Sequence, residues 1–247
     1  MEHNALIVAH GQPSDPAAAG AELAALAALV GTHLPGWHVG AATLAEPGAL
    51  AEKLRAAGPQ GLVYPLFMAC GWFTRTHLPA RMAEAGAAGW RILPPFGCDA
   101  GVQALTVTLA QEAAASAGVL PAAAAVLVAA HGSSRSDAPS LIADAVAHRI
   151  AQAGFARAEA AFIDQTPRIA ATEGFGRSDF CLPYFAAKGG HVTDDIPDAL
   201  SKTGFAGRLL PPVGGDARVP ALIARALRDA ADHPERQCAG VICARLA

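Results

Sequence analysis

Residues 121–135, PAAAAVLVAAHGSSR, decide the fold. An apolar run of Ala, Val and Leu stops abruptly at His131-Gly132-Ser133-Ser134-Arg135, the pattern of a buried parallel strand that delivers an imidazole at its carboxyl end. In open α/β sheets ligands bind at that edge. Gly132 lets the backbone turn sharply, while Ser133, Ser134 and Arg135 place hydrogen-bond donors around the same point. One His in such a turn is an ordinary loop residue until a second observation joins it. The second observation is that Ala9-His10-Gly11 ends an equivalent apolar run near the start of the chain.

The repetition extends through the whole sequence. Pro47 is matched by Pro167, Pro65-Leu66-Phe67 by Pro183-Tyr184-Phe185, and Pro94-Pro95-Phe96-Gly97-Cys98-Asp99 by Pro211-Pro212-Val213-Gly214-Gly215-Asp216, in the same order and at nearly constant offset. Self-similarity at one period reports architecture before any local propensity does. Within the first half, apolar runs near 5–9, 39–44, 61–67 and 91–93 read as strands, and helix signals fill the intervals. Ser14-Asp15-Pro16 starts the first helix, Leu23, Leu26 and Val30 form its stripe, and Gly31 ends it. Alternation of strand and helix means parallel sheets. The expected fold is therefore α/β, with two similar half-domains at 1–119 and 120–247, each a four-stranded parallel sheet flanked by helices, and an active-site cleft between them.

Composition narrows the function classes. A chain of 247 residues that is 53% hydrophobic can bury one large core or two smaller ones, so disorder is not expected. With net charge −3 and 16% charged residues, no broad basic surface is available for a nucleic-acid backbone. The apolar run at 122–130 is well short of the roughly 18 residues that span a bilayer. Met1-Glu2-His3-Asn4 lacks the basic start of a secretory signal, which makes a soluble cytoplasmic protein the expectation. Five cysteines without a C-x-x-C pair suit reduced thiols, and Cys238 and Cys243 are too few to hold a cluster alone.

The halves differ where chemistry would sit. As many residues separate Pro65 from Pro79 as separate Pro183 from Pro197, so the two loops align without a gap and His191 falls opposite Phe73. The second half thus carries His131 after its first strand and His191 after its third, with Asp164 arriving from the strand between them in sequence. Neighbouring parallel strands bring their carboxyl ends to one rim. Two imidazoles and a carboxylate there make a site for a first-row divalent metal with open positions, and neutral imidazole is also the natural proton acceptor near pH 7. Asp194 and Asp195 read as caps for the helix entering at Ile196. Arg135, Arg168, Arg177 and Lys188 lie in or near loops assigned to this rim and can bind substrate carboxylates. Trp72 and Phe73, in the first half's vacated place, suit either ordinary packing or a wall against a flat ligand.

These residues resemble the class II tetrapyrrole chelatases, the family of sirohydrochlorin cobaltochelatases and ferrochelatases. The likeness spans nearly the whole chain, through His10-Gly11, His131-Gly132-Ser133, Gly189-Gly190-His191-Val192, Asp194-Asp195-Ile196-Pro197 and the paired Pro-Pro-x-Gly-x-Asp segments. The resemblance implies a chelatase-like fold, His131 and His191 as paired metal ligands, and Asp164 where many relatives have Glu. Phe73 departs from that pattern and removes the second His from the first half, so only the second half is expected to be competent, with His10 a relic or a substrate contact.

The implied activity is insertion of a divalent metal into sirohydrochlorin in cobalamin or sirohaem formation, with Co²⁺ first and Fe²⁺ or Ni²⁺ as alternatives. The metal and the tetrapyrrole are substrates, no tightly bound cofactor is expected, and the protein is a monomer or weak dimer. His131 and His191 would hold the metal weakly and one of them would take a pyrrole proton, with Asp164 orienting or relaying it; Ser133, Ser134, Arg135, Lys188 and His10 would contact the tetrapyrrole. Two other readings stay open. One is a non-catalytic carrier of metal or tetrapyrrole; the other is a histidine phosphatase, which would need Arg where Ala9 and Ala130 stand.

Overall fold

The computed structural model describes residues 3–12 and 14–234, so Cys238 and Cys243 lie outside the described residues. The chain enters on strand β1 (His3–Ala9), then helix α1 (Pro16–Thr32) and strand β2 (Trp37–Thr43). Asp15 caps α1 by accepting the Ala18 amide at 3.2 Å, with Pro16 in the first turn. The buried stripe of α1 is Leu23, Ala27 and Val30; Leu26 is half-buried, and the helix runs through Gly31 to Thr32. Helix α2 (Ala49–Ala57) and strand β3 (Gln60–Pro65) follow. A π-helical turn, Phe73–His77, leads directly into α3 (Leu78–Glu84), then β4 (Gly89–Ile92) and a 3-10 turn, Phe96–Cys98. All pairings in this sheet are parallel, in the order β2-β1-β3-β4.

The same succession recurs after helix α4 (Ala100–Ser116). Strand β5 (Ala125–Ala130), helix α5 (Ala138–Gln152), strand β6 (Arg157–Phe162) and strand β7 (Phe180–Pro183) precede a second π-helical turn, His191–Asp195. It opens α6 (Ile196–Ser201), followed by β8 (Arg208–Leu209), a 3-10 turn at Val213–Gly215 and the last helix, α7 (Val219–Asp232). The second sheet is also parallel, in the order β6-β5-β7-β8. One element has no counterpart: where the first sheet has α2 between its strands, the second has only the 3-10 turn Ile169–Ala171.

The compact units are not divided at 119/120. One unit holds the described residues up to Asp99 and those from Ala217 on, and the other is Ala100–Asp216. Each crossing point immediately follows a Pro-Pro-x-Gly-x-Asp segment. In both segments the glycine backbone is pressed onto the chain that leaves the third strand. Gly97 donates its amide to Phe67 O at 3.0 Å, and a Cβ there would lie 2.0 Å from Met68 O; Gly214 donates to Phe185 O at 2.9 Å, and its Cβ would lie 2.0 Å from Ala186 O. Beyond the first segment, α4 packs on α5 and β7, burying Val102, Leu105, Ala110 and Ala114. Beyond the second, α7 packs on α1 and β3 and is tied there by Arg228, which donates to His33 O at 2.8 Å, and by Arg91, which donates to Pro234 O at 2.8 Å. Each repeat therefore sends its last helix to the other repeat's sheet.

The core of the second unit explains the placement of its rim. All six residues of β5 are buried, as expected for a central strand covered on both faces. Leu127 and Ala129, two apart, share one cluster with Cys181, Phe185, Val192, Ile196 and Leu200. The last three recur every fourth residue and anchor the π-helical turn and α6, each fully buried aliphatic side chain contributing about 1.5–3 kcal/mol. His191 and Asp195 immediately precede two of these anchors and are left exposed. Among the described residues no helix is long and apolar enough to cross a membrane.

Candidate functional site

His131, Asp164 and His191 meet at the carboxyl ends of β5, β6 and β7, with β5 in the middle. The parallel ladder continues past the strands: Ile163 donates its amide to Ala130 O at 3.0 Å, Asp164 to His131 O at 2.9 Å, and Tyr184 to Ala129 O at 2.8 Å. These bonds fix His131 and Asp164 side by side. Gly132 holds φ 75°, and a Cβ there would lie 2.6 Å from Gln165 Cβ and 2.8 Å from Phe162 Cβ, so only glycine fits. Gln165 secures the loop from both ends of its amide, accepting the Ser133 N–H at 3.0 Å and donating to Ser140 Oγ at 3.0 Å.

The two imidazoles stand edge to face, with ring centroids 4.6 Å apart and planes at 85°. His131 Nδ1 lies 3.0 Å from Gly132 O, and because a carbonyl oxygen only accepts, the hydrogen sits on Nδ1. His191 Nδ1 lies 2.6 Å from Asp195 Oδ2 and donates to that carboxylate. In the neutral rings both Nε2 atoms are then lone-pair donors. His131 Nε2 is 3.7 Å from Asp164 Oδ2. That exceeds hydrogen-bond length but is close to the ~3.4 Å separating two ligands of one tetrahedral ion with bonds near 2.1 Å. Among the described residues no three His, Cys, Asp or Glu side chains are grouped to hold a metal. What the rim brings together is a pair of imidazoles, with the Asp164 carboxylate beside one of them.

Several expected roles change. Asp195 stands at the N-cap position of α6 but makes no side-chain capping bond; its carboxylate is engaged by His191 one turn earlier. Arg177 precedes β7 and therefore lies at the amino edge of the sheet, away from the rim. Arg168 stays at the rim, 4.0 Å from Asp164 Oδ1 and bonded to Ile163 O. Ser133 Oγ accepts the Arg135 amide at 3.1 Å and so shapes the loop, while Ser134, Arg135 and Lys188 are exposed. Asp164, Arg168, His191 and Asp195 border a concavity of about 410 Å³ whose other walls include Phe162 and Ala199.

The first unit repeats the scaffold with different side chains at the matching positions. Ala45 donates its amide to His10 O at 2.8 Å and Leu66 to Val8 O at 2.7 Å, matching the bonds at Asp164 and Tyr184. Ala45 therefore occupies the place of Asp164. Phe73 opens the first π-helical turn as His191 opens the second, and His77 ends it where Asp195 ends the other. The His10 ring packs 4.6 Å from Phe73; partial burial, and secondarily the charge of His77, depress its pKa below the usual imidazole value. Trp72 stacks on His77 at 4.8 Å and is itself 60% exposed.

Comparison with known proteins agrees with this architecture. SirB from Bacillus subtilis with Fe³⁺ superposes with TM-score 0.74 at 17% identity, over 96% of this chain and 99% of that one. The sirohydrochlorin chelatase SirB from Bacillus subtilis subspecies spizizenii in complex with cobalt does so with TM-score 0.70 at 15% identity, with the same coverage. The fold is that of the class II tetrapyrrole chelatases. Residues 125–230 match the CbiX family model. A structure of CbiX, described as the terminal enzyme for biosynthesis of siroheme in denitrifying bacteria, is 50% identical over 92% of this chain and 99% of its own, with TM-score 0.86. The chain belongs to the CbiX family. No curated protein sequence matches it significantly.

Proposed function

We propose that this protein is a sirohydrochlorin chelatase, a lyase that inserts a divalent metal into the macrocycle at the His131–His191 rim. The observation that carries the reading is the edge-to-face imidazole pair, in which each Nδ1 is held as a donor and each Nε2 is left with its lone pair. The relative described as the terminal enzyme of siroheme formation supports Fe²⁺ as the metal, ahead of Co²⁺.

Insertion exchanges two pyrrole N–H protons for one M²⁺, so the protein must bring metal and ring together and take up protons. Positioning converts an encounter of two solutes into a step within one complex. His131 Nε2 and His191 Nε2 serve as weak ligands, and weakness is required, because a closed four-ligand site would retain the ion. As the metal passes to the ring, both Nε2 lone pairs are freed, and each can receive one of the two pyrrole protons. Asp164, near His131 Nε2, stabilises the resulting imidazolium or passes the proton to solvent. Asp195 keeps His191 in one tautomer and strengthens its Nε2 as a donor. Arg135, Arg168 and Lys188 supply cationic donors for the carboxylates at the macrocycle's edge.

The test is an anaerobic absorbance assay of sirohydrochlorin with Fe²⁺, Co²⁺ and Ni²⁺ in turn. Turnover well above the uncatalysed rate with Fe²⁺ or Co²⁺ is expected. Stoichiometric binding of metal or tetrapyrrole without turnover would make the protein a carrier instead.

A further inference from the structure

Two thiols of the first unit stand together outside the site described above. Cys70 Sγ and Cys98 Sγ are 3.6 Å apart, although 28 positions separate them in sequence. Cys98 is buried at the end of the 3-10 turn Phe96–Cys98, and Cys70 is half-buried in the loop leaving β3. Their approach is built into the scaffold. Gly97 donates its amide to Phe67 O, and its missing Cβ lets the turn press onto Met68 O, two residues before Cys70.

The second unit repeats that contact through Gly214, Phe185 and Ala186, yet has Lys188 and Gly215 where the first has Cys70 and Cys98. Both thiols are thus present in one copy of the motif and both absent from the other. We propose that Cys70 and Cys98 form a redox modification site, closing to an intrachain disulfide when a hydroperoxide oxidises the protein.

The chemistry balances in two steps. With hydrogen peroxide, the more accessible Cys70 first gives up its thiol proton; the thiolate attacks one peroxide oxygen and becomes a sulfenic acid, and the other oxygen leaves as hydroxide and takes up that proton to give water. Cys98 sulfur then attacks the Cys70 sulfur, forming the S–S bond while the sulfenic oxygen leaves with the Cys98 proton as a second water. Two thiols lose two electrons and the peroxide takes them. Closing the pair shortens the 3.6 Å separation to a bond of about 2.05 Å. The bond would fasten the segment running from Cys70 into the Phe73–His77 turn, whose start is organised by Thr74 and Arg75 amides on Gly71 O, to the 3-10 turn beneath it.

Cys181 supplies an internal control, since it is fully buried and burial pushes its thiol up to about 12, which keeps it protonated and unreactive. The full chain is exposed to hydrogen peroxide, unreacted thiols are alkylated in denaturant, and peptides are mapped without reductant. The expected result is a peptide pair linked through Cys70 and Cys98, lighter by two hydrogens, dissociated by dithiothreitol, with Cys181 still alkylated. Cys98→Ser, or Cys98→Ala if the serine variant does not fold, removes the linked pair entirely and leaves a sulfenic acid at Cys70 that dimedone traps. A Cys238→Ser/Cys243→Ser variant retains the link. Absence of the Cys70–Cys98 peptide, or a link from either thiol to Cys238 or Cys243 in its place, overturns the proposal.

Discussion

His191 donates Nδ1–H to Asp195 Oδ2 at 2.6 Å across a single π-helical turn, so one short segment supplies both an imidazole and the carboxylate that orients it. Partners of this kind typically affect metal affinity or activity by about 10–100-fold. Asp195→Ala is therefore expected to lower kcat/KM for metal insertion by that factor, with Asp195→Glu recovering part of it. Steady-state absorbance kinetics with varied metal measure this, and an Asp195→Ala enzyme with wild-type kinetics would remove Asp195 from the mechanism.

The first unit tests the donor set by restoration. Phe73→His alone leaves His10 beside Ala45 and His77, so metal stoichiometry should not change. Adding Ala45→Asp and His77→Asp rebuilds the arrangement of His131, Asp164, His191 and Asp195 on a matching backbone. Calorimetric titration with Co²⁺ should then show more bound metal per chain than the wild type takes up. Equal stoichiometry in the triple variant would mean that these four side chains do not define the site.

His10 links the first unit's stability to pH. Its folded-state pKa is depressed, first by burial and then by His77, so between that value and the unfolded value of about 6.5 the unfolded chain binds more protons. Stability therefore rises with pH through this window and falls as the solution is acidified across it. His10→Gln should flatten that part of the pH dependence in urea denaturation, whereas an unchanged slope would place the proton uptake elsewhere.

Gly132 combines φ 75° with Cβ clearances of 2.6 and 2.8 Å. Gly132→Ala should cost about 1–3 kcal/mol or more for a non-glycine residue in this conformation. It should also displace the Gln165 clamp on Ser133. Denaturant unfolding with an unchanged m-value checks the first statement. Loss of insertion activity greater than loss of folded protein checks the second.

The repeat made the two parallel sheets legible, because Ala9-His10-Gly11 and Ala130-His131-Gly132, with the matched prolines, mark strand ends whatever the local propensity. The meeting of His131, Asp164 and His191 was legible because each follows a strand and parallel strands bring their carboxyl ends to one rim. The exchange of α4 and α7 was not legible, since an amphipathic period shows that a helix covers a sheet but not which of two similar sheets it covers. Nor was the loss of an α2 counterpart, where the matched Pro47 and Pro167 concealed a helix in one copy and a 3-10 turn in the other. Asp195 is a related case: its spacing from His191 has meaning only if residues 191–195 are helical, and in sequence they fall in the loop between Pro183 and Pro197. Gln165, an unremarkable polar residue in sequence, gains its role only from the close approach that Gly132 permits.

The central claim is that His131 and His191 together hand a divalent metal to the macrocycle, and it is measured most directly by single-variant insertion assays with sirohydrochlorin and Fe²⁺ or Co²⁺. His131→Ala and His191→Ala should each retain the wild-type circular dichroism spectrum and lose at least about 10²-fold in turnover. Wild-type turnover by either folded variant would contradict the account.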